Sequence, residues 1–90
     1  MPRYLVERTF ADGVGISPDA AGAETCREVV RTNAEDGVTW VHSYVTPDGR
    51  RTWCVYEAPS PEALRRAAAR NGLPVSRIVE VRELSPYFHR

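Results

Sequence analysis

The sequence is defined first by what it has little of. Two cysteines, Cys26 and Cys54, in 90 residues do not make a disulfide framework. No C-x-x-C or paired Cys/His spacing accompanies them, so they read as two free thiols on inward faces, as unpaired cysteines generally are. Net charge is also missing: 12 basic and 12 acidic side chains cancel. That removes the basic footprint of a nucleic-acid binder. No apolar run approaches the ~20 residues that a membrane helix needs. The opening MPRYLVERTF has no signal-peptide hydrophobic region and begins directly as a strand pattern, so a cytoplasmic protein without membrane partners is expected. Histidine is scarce too, with only His42 and His89. Linkers, internal repeats and low-complexity stretches are lacking, and residues 1–90 read as one domain.

What is present is strong patterning. The stretch from Val38 to Ala58, VTWVHSYVTPDGRRTWCVYEA, alternates in side-chain character on both sides of Pro47-Asp48-Gly49. This is the signature of two antiparallel strands and a tight turn. With Pro47 facing Arg50, one face collects Val38, Trp40, His42 and Tyr44 beside Arg51, Trp53, Val55 and Glu57. The other collects Thr39, Val41, Ser43 and Val45 beside Thr52, Cys54, Tyr56 and Ala58. The second face suits packing under helices. The first is too aromatic for water and too polar for plain core.

The flanks complete the order. Arg3 to Phe10 alternates as a first strand, with Tyr4, Val6 and Phe10 as its apolar series. Ala11 to Ile16 is glycine-rich, but no Gly-Lys-Ser/Thr follows, so it is not read as a nucleotide loop. Ser17-Pro18 signals a helix start, and Ala23, Cys26, Val30 and Ala34 form its expected inward stripe. Glu24, Arg27, Glu28 and Arg31 supply a solvated face of opposite charges three or four apart. Ser60-Pro61 repeats the start signal. Ala63, Leu64, Ala67 and Ala68 then face inward, Arg65, Arg66 and Arg70 face out, and Asn71-Gly72 ends the helix before Pro74. Arg77 to Leu84 is the last strand, followed by the tail Tyr87-Phe88-His89-Arg90, where His89 is expected in solvent. The order β-α-β-β-α-β predicts an α+β, ferredoxin-like sandwich: an antiparallel four-stranded sheet with both helices on one face.

Such a fold leaves the other side of the sheet open. The alternation assigns to it Leu5, Glu7, Trp40, His42, Tyr44, Trp53, Val55, Glu57, Ile78 and Glu80. Each large aromatic covers about 150–250 Å² when buried, so a patch of this kind calls for a cover, and a homodimer through the open face is expected. His42 has the widest chemistry there. Neutral imidazole binds nickel, copper and zinc, and carboxylates such as Glu7 and Glu57 complete sites of that class. The same residues also admit a histidine hydrogen-bonded inside an interface, or a proton-transfer pair, with both glutamates ion-paired to arginines such as Arg51 or Arg82. Base stacking on the open aromatics is set aside, because Arg50-Arg51-Thr52-Trp53-Cys54-Val55-Tyr56-Glu57 lacks the RNA-recognition strand motif.

Several segments together resemble a known family. They are Tyr4-Leu5-Val6-Glu7-Arg8, Gly37-Val38-Thr39-Trp40, Ser43-Tyr44-Val45, Asp48-Gly49, Cys54-Val55-Tyr56-Glu57-Ala58-Pro59, Gly72-Leu73-Pro74 and Ile78-Val79-Glu80-Val81. The chain is similar to small bacterial proteins first grouped as a domain of unknown function and now described as nickel-binding. The resemblance implies a ferredoxin-like homodimer that takes up nickel or another divalent transition metal, in sequestration or homeostasis rather than catalysis. Its expected ligands here are His42, then Glu7 and Glu57. One departure stands out: where many members carry a histidine in the second helix, this chain has Ala67 or Ala68. With two histidines available, a tight site would draw on both subunits, the tail or several carboxylates. Two other readings remain open. One is a dimeric α+β barrel enzyme acting on a small apolar metabolite, of the cofactor-independent monooxygenase or isomerase type. The other is an interaction module whose aromatic face only makes the dimer.

Overall fold

A computed structural model describes residues 1–16 and 19–87 of the chain. The elements are β1 (Arg3–Thr9), α1 (Ala20–Ala34), β2 (Thr39–Val45), β3 (Arg51–Glu57), α2 (Pro61–Asn71) and β4 (Arg77–Val81). The strands form one antiparallel four-stranded sheet in the order β2-β3-β1-β4. This is the expected ferredoxin-like architecture. The core lies between the sheet and the helix layer: Tyr4, Val6, Cys54 and Tyr56 from the strands meet Ala63, Leu64 and Ala67 of α2.

Local chemistry explains the boundaries. Ser60 caps α2 by accepting from the Ala63 N–H at 3.2 Å, and Pro61 occupies the first turn. Gly72 stops the helix at φ +66°, with Leu73 N–H returning to the Ala68 carbonyl at 2.9 Å. In the hairpin turn, Gly49 takes φ +72° and donates to the Thr46 carbonyl at 2.8 Å. Asp48 braces this turn, accepting from Thr46 Oγ1 at 2.7 Å and Arg50 N–H at 3.0 Å.

The first helix departs from expectation. Ser17-Pro18 lies outside the described residues, and the N-cap is Asp19, whose carboxylate accepts from the Gly22 N–H at 3.1 Å. The buried residues of α1 are Gly22 and Asn33, with Cys26 and Val29 half-buried, while Ala23 and Ala34 are exposed and Val30 is 50% exposed. The inward stripe is therefore turned by about one residue from the one expected. Adjacent Val29 and Val30 made the apolar period ambiguous. A buried asparagine, bonded by Asn71 Nδ2 at 2.9 Å, decides it. Glu24, Arg27 and Arg31 form the expected exposed ion-pair ladder.

Asp36, just beyond α1, ties the helices together. Its side chain accepts from Arg66 Nε at 3.1 Å and Arg70 Nε at 3.0 Å. Two of the α2 arginines read as solvated are thus anchored to an acid. Burial pushes the Asp36 carboxyl up, but the bonds from Arg66 and Arg70 and their charges outweigh it, and the group is held below its ordinary value. A carboxyl depressed in the folded state adds stability above its unfolded pKa and loses it as pH falls through the folded value. Asp36→Asn is accordingly expected to lower the thermal midpoint at pH 7. The gap to the unmodified chain should close as acid protonates Asp36, below about pH 4. Thermal melts from pH 7 to pH 3 check this.

Candidate metal-binding face

The register sorts the open face into rows across the sheet. His42, Val55, Leu5 and Val79 form one row; Tyr44, Trp53, Glu7 and Arg77 form the next; Thr39, Glu57, Arg3 and Val81 lie on the other side. Three residues assigned to this face by alternation are not on it. Trp40 pairs with Tyr56 on the helix side, packs against the core and donates to Ser43 Oγ at 2.8 Å. The cause is a register shift between Trp40 and His42, a bulge at Val41 that reverses the phase of the strand upstream. From His42 to Val45 the expected pairing holds. Ile78 and Glu80 also lie on the helix side, opposite Val6 and Tyr4, so Val79 and Val81 take their places. Composition alone favours Val79 and Val81 over Ile78 and Glu80 as the inward pair, and pairing with β1 reverses that assignment.

His42 is exposed and stands edge-on to Tyr44, with ring centroids 5.2 Å apart at 86°. The two carboxylates are on the same face but engaged. Glu57 accepts from Arg3 at 2.6 Å, and that hydrogen bond and charge hold its carboxyl below the ordinary range. Glu7 sits 3.9 Å from Arg51, whose guanidinium lies 5.9 Å from the Trp53 ring centroid. Glu57 is in the row beside His42, a diagonal neighbour at roughly 7–8 Å by sheet geometry. Glu7 is two strands away, roughly 10 Å by strand spacing alone. Among the described residues, no group of three or more His, Cys, Asp and Glu side chains is gathered to hold a metal ion. His89 lies outside the described residues, as do Phe88 and Arg90.

Two shallow depressions flank this region without including His42. One, of about 310 Å³, is lined by Thr9, Thr46, Asp48, Arg50, Arg51 and Trp53 at the turn. The other, of about 420 Å³, lies between the N-terminus and residues 80–83. Both thiols are free, Cys54 buried and Cys26 half-buried. No helix of the described residues is long and apolar enough to cross a membrane.

A feature that sequence reasoning passed over lies on the opposite side of the sheet. Arg8 is 4% exposed, yet no carboxylate among the described residues pairs with it. Its Nη1 donates to the Tyr56 hydroxyl at 3.1 Å, its Cζ lies 5.6 Å from that ring's centroid, and its Nε is buried without a partner. Burial pushes the Tyr56 hydroxyl up to about 12 despite the neighbouring cation. The strand alternation that buries Tyr4 and Val6 places Arg8 inward as well. Its charge hid that signal.

The family model described as "Nickel responsive protein SCO4226-like" matches residues 4–81. The crystal structure of SCO4226 from Streptomyces coelicolor A3(2) superposes with a TM-score of 0.73, covering 92% of this chain and 99% of that one, at 20% sequence identity. At that identity the likeness shows a shared fold. No curated protein matches the chain. The family model covers most of the sequence, from the first strand through the last, and the chain belongs to the SCO4226-like family of nickel responsive proteins.

Proposed function

We propose that this protein is a non-enzymatic, divalent-metal-binding homodimer that takes nickel on its open sheet face, with His42 as the leading ligand. The reading rests on one observation: an exposed imidazole on the edge strand of an uncovered sheet face that also carries Tyr44 and Trp53, in a chain of a family named for nickel responsiveness. Imidazole is a suitable donor for nickel, and carboxylates with water fill the remaining positions of such sites.

One chain brings too few donors together, and the second copy supplies the rest. Face-to-face packing about a two-fold axis that passes beside His42 brings that residue from each copy to one site. Glu57 and Glu7 are the carboxylate candidates. Each must exchange an arginine for the metal, and the loose 3.9 Å contact of Glu7 gives way more readily than the 2.6 Å bond of Glu57. The role that follows is sequestration or homeostasis in the cytoplasm, without nucleic acid or membrane. The experiment is calorimetric titration with Ni²⁺ of the unmodified chain beside His42→Ala. Binding at micromolar or lower concentration, abolished by the substitution, is the expected outcome. Equal weak heats from both proteins would remove His42 from the site.

A further inference from the structure

The two edges of the sheet are built differently. β4 carries Arg77 and Glu80, the kind of charge that discourages a further strand. β2, Thr-Trp-Val-His-Ser-Tyr-Val, carries no acidic or basic side chain apart from His42 and contains no proline. It is also unusually bare for an apolar strand, with Val41 40%, Tyr44 64% and Val45 51% exposed.

The backbone polarity of this edge follows from the hairpin. Thr46 N–H donates to the Arg51 carbonyl at 3.0 Å. An antiparallel ladder alternates, so Thr46, Tyr44 and His42 turn their N–H and C=O groups toward β3. Ser43 and Val45 turn theirs away from the sheet. The usable stretch is bounded on one side by the bulge at Val41 and on the other by Pro47, which has no N–H to give. Its centre is Tyr44.

We propose that β2 pairs antiparallel with β2 of a second copy about a two-fold axis at Tyr44. Ser43 then exchanges both backbone hydrogen bonds with Val45 of the second copy, and Val45 with its Ser43. The exposed tyrosines meet as a non-hydrogen-bonded pair, the position where cross-strand side chains approach most closely. No like charges oppose one another, and His42 faces Thr46 of the second copy. An uncharged strand offers little to select a foreign partner, whereas self-pairing satisfies each outward group reciprocally and leaves the bulge outside the ladder. The outcome is one continuous sheet across two chains. This contact is separate from packing of the open faces, which covers side chains and bonds neither of these amides.

Amide hydrogen exchange, followed residue by residue over a protein concentration series, tests the pairing. Protection of the Ser43 and Val45 amides is expected to rise at least tenfold with concentration. Val45→Lys, a charge at a half-exposed site, should abolish that rise and leave the circular dichroism spectrum unchanged. Leu5→Glu, which alters only the open face away from β2, should preserve it. Protection that does not vary with concentration, that persists in Val45→Lys, or that vanishes in Leu5→Glu would overturn the proposal.

Discussion

Leu5→Glu is expected to break the proposed face-to-face packing of two copies without unfolding either chain. Leu5 sits on central strand β1, in one row with Val55, Val79 and His42. In a single chain it is only half-buried, so a glutamate there still reaches water. In a face-to-face dimer the same carboxylate would be buried at both copies with no assigned cation. An unpaired buried charge costs about 3–5 kcal/mol, or at least a hundredfold in dissociation constant. Sedimentation equilibrium in a Val45→Lys background, where the β2 edge contact is removed, should show dimers become monomers on adding Leu5→Glu, with far-ultraviolet circular dichroism retained. A dimer that survives Leu5→Glu in that background with unchanged affinity would place the interface elsewhere.

The second large effect concerns the core. Tyr56→Phe removes the hydroxyl that accepts from Arg8 Nη1 and leaves a buried guanidinium whose Nε already has no partner. Loss of a charge-assisted bond of this kind costs about 2 kcal/mol. In a chain of this size that lowers the thermal midpoint by roughly 10 °C. Arg8→Met should behave differently, because it removes the charge that needs solvation and keeps a flexible apolar stem of similar reach. It is expected to be neutral or stabilising. In the Arg8→Met background the cost of Tyr56→Phe should fall by more than half, since no cation is left stranded. Urea unfolding of the four proteins gives this coupling. Additive effects would mean that the Arg8–Tyr56 bond contributes nothing specific.

Much of the architecture could be read from residue patterns because local signals and global fold agree. Ser60-Pro61, Gly72 and Asp48-Gly49 each carry their turn or cap chemistry on the surface of the sequence. The failures have a common physical origin. Alternation reports phase only while the ladder is regular, and nothing in Val-Thr-Trp-Val-His-Ser-Tyr-Val announces the extra residue at Val41 that sends Trp40 to the core. In α1 adjacent valines left two phases open, and in β4 the more apolar phase, Val79 and Val81, lies on the open face; partners remote in sequence decided both. Arg8 and Asp36 were missed because charge was equated with solvent, although the strand period already turned Arg8 inward.

The candidate site shows the same division. His42 and its neighbours Tyr44, Trp53 and Val55 lie on the open face as their spacing required. The Glu7–Arg51 contact was among the anticipated ion pairs, whereas Glu57 chose Arg3, a partner visible only once β1 and β3 are paired. In the proposed site the remaining ligands come from a second chain, and a single sequence does not state how two copies meet.

The central claim is that His42 ligates nickel. Nitrogen-15 spectra of the imidazole side chains test it most directly, because the chain has two histidines, His42 and His89, and so two sets of ring signals. Substoichiometric Ni²⁺ should broaden the ring signals assigned to His42 before general loss of the spectrum, with Mg²⁺ leaving them unchanged. Broadening of the His89 ring alone, or no change at His42 with nickel in excess, would contradict the account.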